Sequence, residues 1–206
     1  MKIKNVTVIN DGYIYCSSAF YSAHDILNNS EFSFTVGINK MSGEIDSGIW
    51  AISYLLSMYK YKPEDFVLFE QPRALINNEY VSLDELSKFS CYMDKSYPLF
   101  AKNISVKELV MQGLEYSKIK CTANDIKDLF SLSDQRFERP LTSAGNEIFR
   151  AMSAIAVAYD KQIFCFPWLS NKRFESYHDN LTTLLQILEN LKKIVIVPAG
   201  ISTPKT

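Results

Sequence analysis

The chain of 206 residues has the composition of one globular domain, with 47% hydrophobic residues and a formal net charge of −1. This near-neutral balance excludes a general attraction to nucleic acid or anionic lipid, and no segment approaches the roughly 18 apolar residues of a membrane helix. The amino terminus also lacks the apolar stretch of a signal peptide. We therefore expect a cytoplasmic protein without a nucleic-acid partner, and leave open a peripheral position at the inner face of the membrane.

The first part of the chain predicts strands followed by a buried helix. Residues 2–10 (KIKNVTVIN) and 30–40 (SEFSFTVGINK) are rich in β-branched and aromatic residues, which favours two strands. From Gly48, the segment GIWAISYLLSMY is apolar on most sides and has the length of a helix. Residues 65–70 (DFVLFE) predict a further short strand.

The middle of the chain predicts short helices. Ser82 with Glu85, and Ser105 with Glu108, have the spacing of a capping box, which marks a helix start. The segment NDIKDLF predicts another helix of a few turns. We predict a small helical subdomain at about residues 90–140, which includes the helix that starts at Ser105 and NDIKDLF.

The last part of the chain predicts a parallel sheet. SAGNEIFRAMSAIAVAY, from Ser143, is a helix rich in small residues, and QIFCF is an apolar run typical of a buried strand. An amphipathic helix follows, and then a second apolar strand, KIVIVPA. Two fully apolar strands joined through a helix indicate a right-handed crossover in a parallel sheet. We therefore predict one α/β domain over residues 1–206, with a mostly parallel sheet flanked by helices and antiparallel N-terminal edge strands.

A glycine pair lies between the second predicted strand and the helix after it. Gly43 and Gly48 have the spacing of a phosphate-binding loop, which should continue with Lys and then Ser or Thr. Here Ile49 and Trp50 follow instead. A plain strand-to-helix turn explains the same residues, so the pair alone leaves both interpretations open.

Other segments extend this likeness over nearly the whole chain, which resembles the ATP-binding domain of ABC transporters in a degenerate form. FYSAHDILNNSEFSF is similar to the family's opening, with Tyr21 at the place of the aromatic side chain that stacks on adenine. EYVSLDELSKFSCYMDKSYPLFAKNISVKELVMQGL resembles the glutamine-loop region, with Asp94 near the glutamine. LTSAGNEIFRAMSAIAV resembles the signature motif and its helix. The order and spacing of these segments match the family, and the signature positions are Ser143, Ala144, Gly145 and Asn146.

The resemblance implies a P-loop NTPase-like fold whose catalytic residues have been replaced. Ile49 stands for the lysine that reaches the phosphates, and Trp50 for the hydroxyl that binds Mg²⁺. Phe166 and Pro167 stand for the metal-binding aspartate and the catalytic glutamate. Other replaced or retained positions are Asp46, Ser47 and Gly48 in the loop, and Ala199 or Gly200 at the switch histidine. We therefore expect no catalytic residue, no metal site and weak or absent binding of Mg-ATP.

The resemblance implies a catalytically inactive ATP-binding subunit that docks to a partner ATPase, a membrane permease or both, with a homodimer left open. In the family, the region corresponding to about residues 90–115 meets the permease. Ser143 and Gly145 would present donors to a phosphate held by another chain, although Ser143 is equally explained as a helix cap. Two alternatives remain: a free-standing regulatory or immunity-type binding protein on the same scaffold, and an unrelated α/β enzyme.

Overall fold

The computed structural model describes residues 2–10, 14–16, 30–43, 49–58, 60, 66–68, 72–143, 145–170 and 178–200. It confirms the α/β class and the parallel sheet. Among these residues, no helix combines the length and the apolar character that crossing a membrane requires. The strands in chain order are β1 (Asn5–Asn10), β2 (Ile14–Cys16), β3 (Ser30–Thr35), β4 (Gly37–Ser42), β5 (Phe66–Leu68), β6 (Arg73–Ile76), β7 (Glu79–Val81), β8 (Ser90–Tyr92), β9 (Ile163–Cys165) and β10 (Ile194–Ala199).

The helices cover the sheets and form a group between β8 and β9. That group comprises α3, α4, α5 and α6. The described helices are α1 (Ile49–Met58), α2 (Leu83–Phe89), α3 (Val106–Ser117), α4 (Ala123–Leu129), α5 (Asp134–Phe137), α6 (Ile148–Ala158) and α7 (His178–Asn190).

The strands form a parallel sheet and an antiparallel sheet of four strands each, with β2 and β5 paired separately. The parallel sheet has the order β4-β10-β9-β8, and β10 pairs in parallel with both β4 and β9. The antiparallel sheet has the order β3-β1-β6-β7. The N-terminal strands are therefore antiparallel, as predicted, but they build a sheet of their own instead of extending the edge of the parallel one.

The core lies around the central strand β10. The side chains from Ile194 to Val197 are fully buried because β10 has a neighbouring strand on each side and packs against α1 and α7. A strand covered on both faces needs a continuous run of apolar residues, and the sequence of β10 is such a run. Burying each such side chain stabilises the fold by about 1.5–3 kcal/mol before the loss of conformational entropy is subtracted.

A sharp bend divides the segment that the sequence predicts as one strand. Residues up to Thr35 belong to β3 in the antiparallel sheet, whereas β4 in the parallel sheet begins at Gly37, whose φ is 107°. Asn39 holds the bend: its Oδ1 accepts from the Thr35 N–H at 3.1 Å, and its Nδ2 donates to the Thr35 carbonyl at 2.8 Å. One stretch of chain thereby supplies adjacent strands to two sheets.

We expect Gly37→Ala to lower the free energy of unfolding by about 1–2 kcal/mol, because a side chain at this positive φ strains the backbone. Space is not the cause, since a Cβ would lie 3.5 Å from Glu189 Oε1, an ordinary contact distance. Urea unfolding measures the change. Gly145→Ala is the matched control, because its Cβ would also meet its nearest atom at 3.5 Å, without a positive φ. Equal stability of the two variants would contradict the prediction.

The described helix starts agree with the capping patterns. Ser105 and Glu108 form the predicted capping box, and the Ser82 hydroxyl accepts from the Glu85 N–H at 3.1 Å. Two features were not predicted. A hairpin joins β6 to β7 through Asn77 and Asn78, and a further capping box opens α4.

Candidate functional site

Four segments singled out in the sequence meet at one edge of the parallel sheet. Gly43 follows β4, Asp94 lies just beyond β8, Phe166 follows β9 and Gly200 follows β10. Because these strands are parallel neighbours, their carboxyl ends share an edge. In open α/β sheets, ligands bind outside this edge. The predicted strand before Gly43 and the predicted helix after it are both present, as β4 and α1.

Direct hydrogen bonds link these segments across the edge. The Gly43 N–H donates to the Ala199 carbonyl at 3.0 Å, and the Gly200 N–H donates to the Leu169 carbonyl at 3.1 Å. The indole Nε1 of Trp168 donates to the Gly43 carbonyl at 3.0 Å. A large aromatic side chain from the segment after β9 is thus attached to the first residue of the loop.

The first residues of α1 are buried. Ile49 is 9% exposed and Trp50 is 2% exposed. Trp50 lies edge-on to Tyr54, and Tyr54 lies edge-on to Tyr92 of β8, with ring centroids 6.4 and 5.4 Å apart. The side chains at the lysine and hydroxyl positions of the resembled family therefore belong to the hydrophobic core.

The residues that directly follow β9, Phe166 and Pro167, offer no carboxylate. Phe166 is fully buried and its ring lies 5.6 Å from that of Phe149. Pro167, which follows it, has no side-chain oxygen. The Asp94 carboxylate is taken up locally, because its Oδ1 accepts from the Ser96 N–H at 2.9 Å and from the Ser96 hydroxyl at 2.7 Å. Among the described residues of this edge, Phe166, Pro167 and Asp94 therefore offer no free set of side-chain oxygens of the kind that Mg²⁺ prefers.

Five predicted site positions lie outside the described residues: Tyr21, Asp46, Ser47, Gly48 and Ala144.

The signature-like segment differs from the prediction. We expected Ser143 at a helix N-terminus or as its cap, but α6 begins only at Ile148, with Glu147 at the cap position. Ser143 instead belongs to a turn in which its N–H donates to the Pro140 carbonyl at 3.1 Å. Gly145 is exposed, as is Asn146 next to it. Ser143 is therefore not placed to act with the dipole of α6.

A buried arginine holds this turn. Arg136, 5% exposed, donates to the carbonyls of Arg139, Pro140 and Ser143. Burial lowers the pKa of its guanidinium, and nearby Glu147 opposes that shift. The group stays charged at neutral pH because the ordinary pKa of arginine is so high. Sequence reasoning missed this residue, since a single arginine in a polar segment has no signal of its own.

The thiols beneath the edge are not nucleophiles. Cys91 and Cys165 lie on adjacent strands and are fully buried. Burial raises the pKa of Cys91 to about 12 and raises that of Cys165 well above its usual value. A thiol in this state carries almost no thiolate at neutral pH. The described residues also include no group of three or more His, Cys, Asp or Glu that could hold a metal ion.

A cavity that the sequence did not predict lies between α2, the segment after β8, and the ends of α3 and α6. Its volume is about 820 Å³. We name it the lysine cavity because four lysines line it: Lys60, Lys88, Lys102 and Lys161. These lysines are far apart in the sequence, so no local motif indicated them.

Comparisons with protein-family models and with curated protein sequences find no match. Solved structures do match. A bacterial Atm1-family ABC exporter with ATP bound has a TM-score of 0.60 at 14% identity, over 98% of this chain and 35% of the exporter chain. A putative ABC transporter ATP-binding protein from Pyrococcus furiosus has a TM-score of 0.64 at 15% identity, over 97% and 94%. The ADP conformation of an ATP-binding cassette of an ABC transporter has a TM-score of 0.58 at 11% identity, over 99% and 83%.

The exporter match covers about a third of that protein, whereas the other two matches cover most of theirs. Identities this low establish shape and strand order, and leave activity to be argued from the residues. By its α/β architecture, its parallel and antiparallel sheets and these superpositions, the chain has the fold of the ATP-binding domains of ABC transporters.

Proposed function

We propose that the chain is a catalytically inactive relative of ABC-transporter ATP-binding subunits that acts by docking to a partner ATPase, a membrane permease or both. It would be one domain over residues 1–206, with a helical subdomain at about residues 90–140, and would work on the cytoplasmic face of a membrane. The observation that carries the proposal is the edge of the parallel sheet where a nucleotide would bind. Among the described residues there, Ile49, Trp50, Phe166 and Pro167 are apolar at positions where phosphoryl transfer needs charged or hydroxyl side chains.

The described residues at this edge do not suit Mg-ATP. Transfer or tight binding of a phosphate needs a cation near the β and γ oxygens and oxygen ligands for Mg²⁺. Ile49 and Trp50 supply neither, and both are buried. Phe166 and Pro167 supply no carboxylate after β9. We derive no catalytic step for this chain, because Ile49, Trp50, Phe166 and Pro167 hold apolar side chains at the positions of the lysine, the hydroxyl and the two carboxylates.

Docking is supported by the helices between β8 and β9. Of the exposed large hydrophobic side chains in the described residues, Met111, Tyr116 and Leu129 lie on α3 and α4, and only Tyr80 lies elsewhere. Exposed aromatic and methionine side chains are enriched at protein interfaces. We therefore place the partner contact on the surface of about residues 90–115 and its continuation to Tyr116.

Nucleotide titration tests the proposed loss of nucleotide binding. A fluorescent ATP analogue at millimolar Mg²⁺ should show no saturable binding to the purified chain below about 100 μM, because the cradle lacks its cation. An active ABC ATP-binding domain serves as the positive control. Micromolar affinity for the isolated chain would overturn the proposed loss of nucleotide binding.

Recovery of partners from native membranes tests the proposed docking to an ATPase or a permease. The tagged chain should bring down a permease or an ABC ATPase after mild solubilisation. Recovery of neither, together with a cytosolic partner of another kind, would favour the alternative of a regulatory or immunity-type protein. Deleting the proposed contact surface at residues 90–115 is not a suitable control, because β8 and α3 contribute to the core. Surface variants of α3, such as Met111→Ser with Tyr116→Ser, are preferred because both side chains are exposed.

A further inference from the structure

The lysine cavity carries an excess of positive charge. Asp84 is the one acidic residue among its described lining residues, against four lysines. The ion pairs found among the described residues involve other basic residues: Lys107, Lys127, Arg150 and Lys193. The ammonium groups of Lys60, Lys88 and Lys102 are exposed and take part in none of those pairs. As far as the structure describes its lining, this concave surface is therefore more positive than the chain as a whole, whose net charge is −1.

We propose that the lysine cavity binds an acidic segment of the partner protein, through carboxylates that pair with its lysines. The inference rests on the proposed docking function and specifies the chemistry of the docked segment. Charge complementarity of this kind steers association and rejects partners of the wrong sign.

The cavity also presents aromatic surface beside its charges. Tyr116, 77% exposed, lies 5.8 Å from Tyr159, measured between ring centroids. Tyr97 is buried, and its hydroxyl donates to the Ser90 carbonyl at 3.1 Å, which fixes one wall. Tyrosines that combine apolar area with a polar tip are typical anchors in protein interfaces.

Lys161 lines the cavity and is hydrogen-bonded to the end of α2. Its Nζ donates to the Lys88 carbonyl at 2.7 Å and to the Ser87 carbonyl at 3.4 Å, in the last turn of α2. Burial lowers the pKa of this lysine, and the carbonyls help to hold its charge in place. An ammonium has three donors, so these bonds leave one for an acidic group that enters the cavity.

The geometry favours a ligand segment with several separated carboxylates rather than one compact phosphate group. Phosphate sites in proteins converge backbone N–H groups from a helix N-terminus. Here Lys88 and Tyr116 come from the last turns of α2 and α3, and Tyr159 directly follows α6; the contribution from the first turn of α2 is the acidic side chain of Asp84. The lysines reach the cavity on flexible side chains from separate elements, which suits several separated negative charges.

Fluorescence anisotropy with synthetic peptides tests the proposal. The probes are a labelled peptide of about twelve residues that carries glutamates and phenylalanines, and its twin with glutamine at every glutamate position. We expect the acidic peptide alone to bind, and its affinity to fall as NaCl rises from about 50 to about 300 mM. Lys88→Glu with Lys102→Glu should weaken binding about tenfold or more.

The matched control is Lys2→Glu with Lys4→Glu, which changes the net charge by the same amount at exposed positions outside the cavity. This variant should bind the acidic peptide within about twofold of the unchanged chain. Thermal unfolding verifies that both double variants fold. Equal binding of the two peptides, or equal weakening by the two double variants, would overturn the proposal. Displacement of the peptide by micromolar pyrophosphate would also overturn it, because the cavity would then take small anions.

The two proposals fail in different ways. If membranes still yield a permease or an ATPase while the cavity variant binds the acidic peptide normally, the docking function stands and the assigned surface is wrong. If the peptide binds with the expected charge dependence but membranes yield neither partner, the cavity recognises acidic segments and the transporter role is wrong.

Discussion

Arg136→Ala should lower the free energy of unfolding by about 3 kcal/mol and the melting temperature by about 6–12 °C. The buried guanidinium donates to three carbonyls of the turn that precedes α6, including that of Ser143 at 3.0 Å. Alanine would leave these acceptors without their donor and would open a cavity as well. Calorimetric and urea unfolding of the purified chain measure the loss.

Arg136→Lys is the informative variant to compare with Arg136→Ala. Lysine keeps the charge but lacks the planar fork that reaches several carbonyls at once, so it should recover less than half of the lost stability. Arg150→Ala provides a second comparison, because Arg150 pairs with Glu147 at 3.0 Å and donates to a single backbone carbonyl, that of Ser131. An Arg136→Ala protein as stable as the unchanged chain would show that the turn does not depend on this side chain.

Gly113→Ala should destabilise the chain by about 2–3 kcal/mol, although alanine is the better helix former by about 1 kcal/mol. Gly113 lies in α3 where this helix meets the end of α6. A Cβ there would come within 2.6 Å of the Tyr159 ring and 2.9 Å of the Ala158 backbone carbon. The backbone of Ala158 cannot rotate away from the new Cβ as a flexible side chain could, so α3 and α6 would have to separate. Urea unfolding measures the cost.

The neighbouring residue gives the control for helix propensity. Gln112 is exposed in the same helix, so Gln112→Ala should change stability by less than about 0.5 kcal/mol. A stabilising effect of Gly113→Ala would contradict the close approach of α3 to α6. It would also remove the reason for a glycine in the middle of this helix.

Much of the fold could be predicted because its signals are local. The apolar runs of β9 and β10 predicted buried parallel strands, and Ser105 predicted the start of α3. The bend at Gly37 could not be read in the same way, since the strand pattern continues through it. Only the positive φ of one glycine and the side chain of Asn39 redirect the chain.

The strands that bring the candidate segments to one edge could be predicted, whereas the detailed geometry of those segments could not. A strand, a loop and a helix around Gly43 can be recognised from spacing, and the parallel sheet then brings the other segments to the same edge. The turn at Ser143 escaped prediction because Arg136 organises it through backbone carbonyls, which carry no sequence signature. The lysine cavity escaped because its charges come from segments as distant as Lys60 and Lys161.

The hydrogen bond from Trp168 to the Gly43 carbonyl has a consequence for building a nucleotide site into this chain. A change of Ile49 to lysine alone would add one cation near a loop to which an indole is attached, while Phe166 and Pro167 directly after β9 would supply no carboxylate for a metal. On the proposed function, this single substitution should therefore confer no tight binding of Mg-ATP, because phosphate binding needs the cation and the metal ligands together.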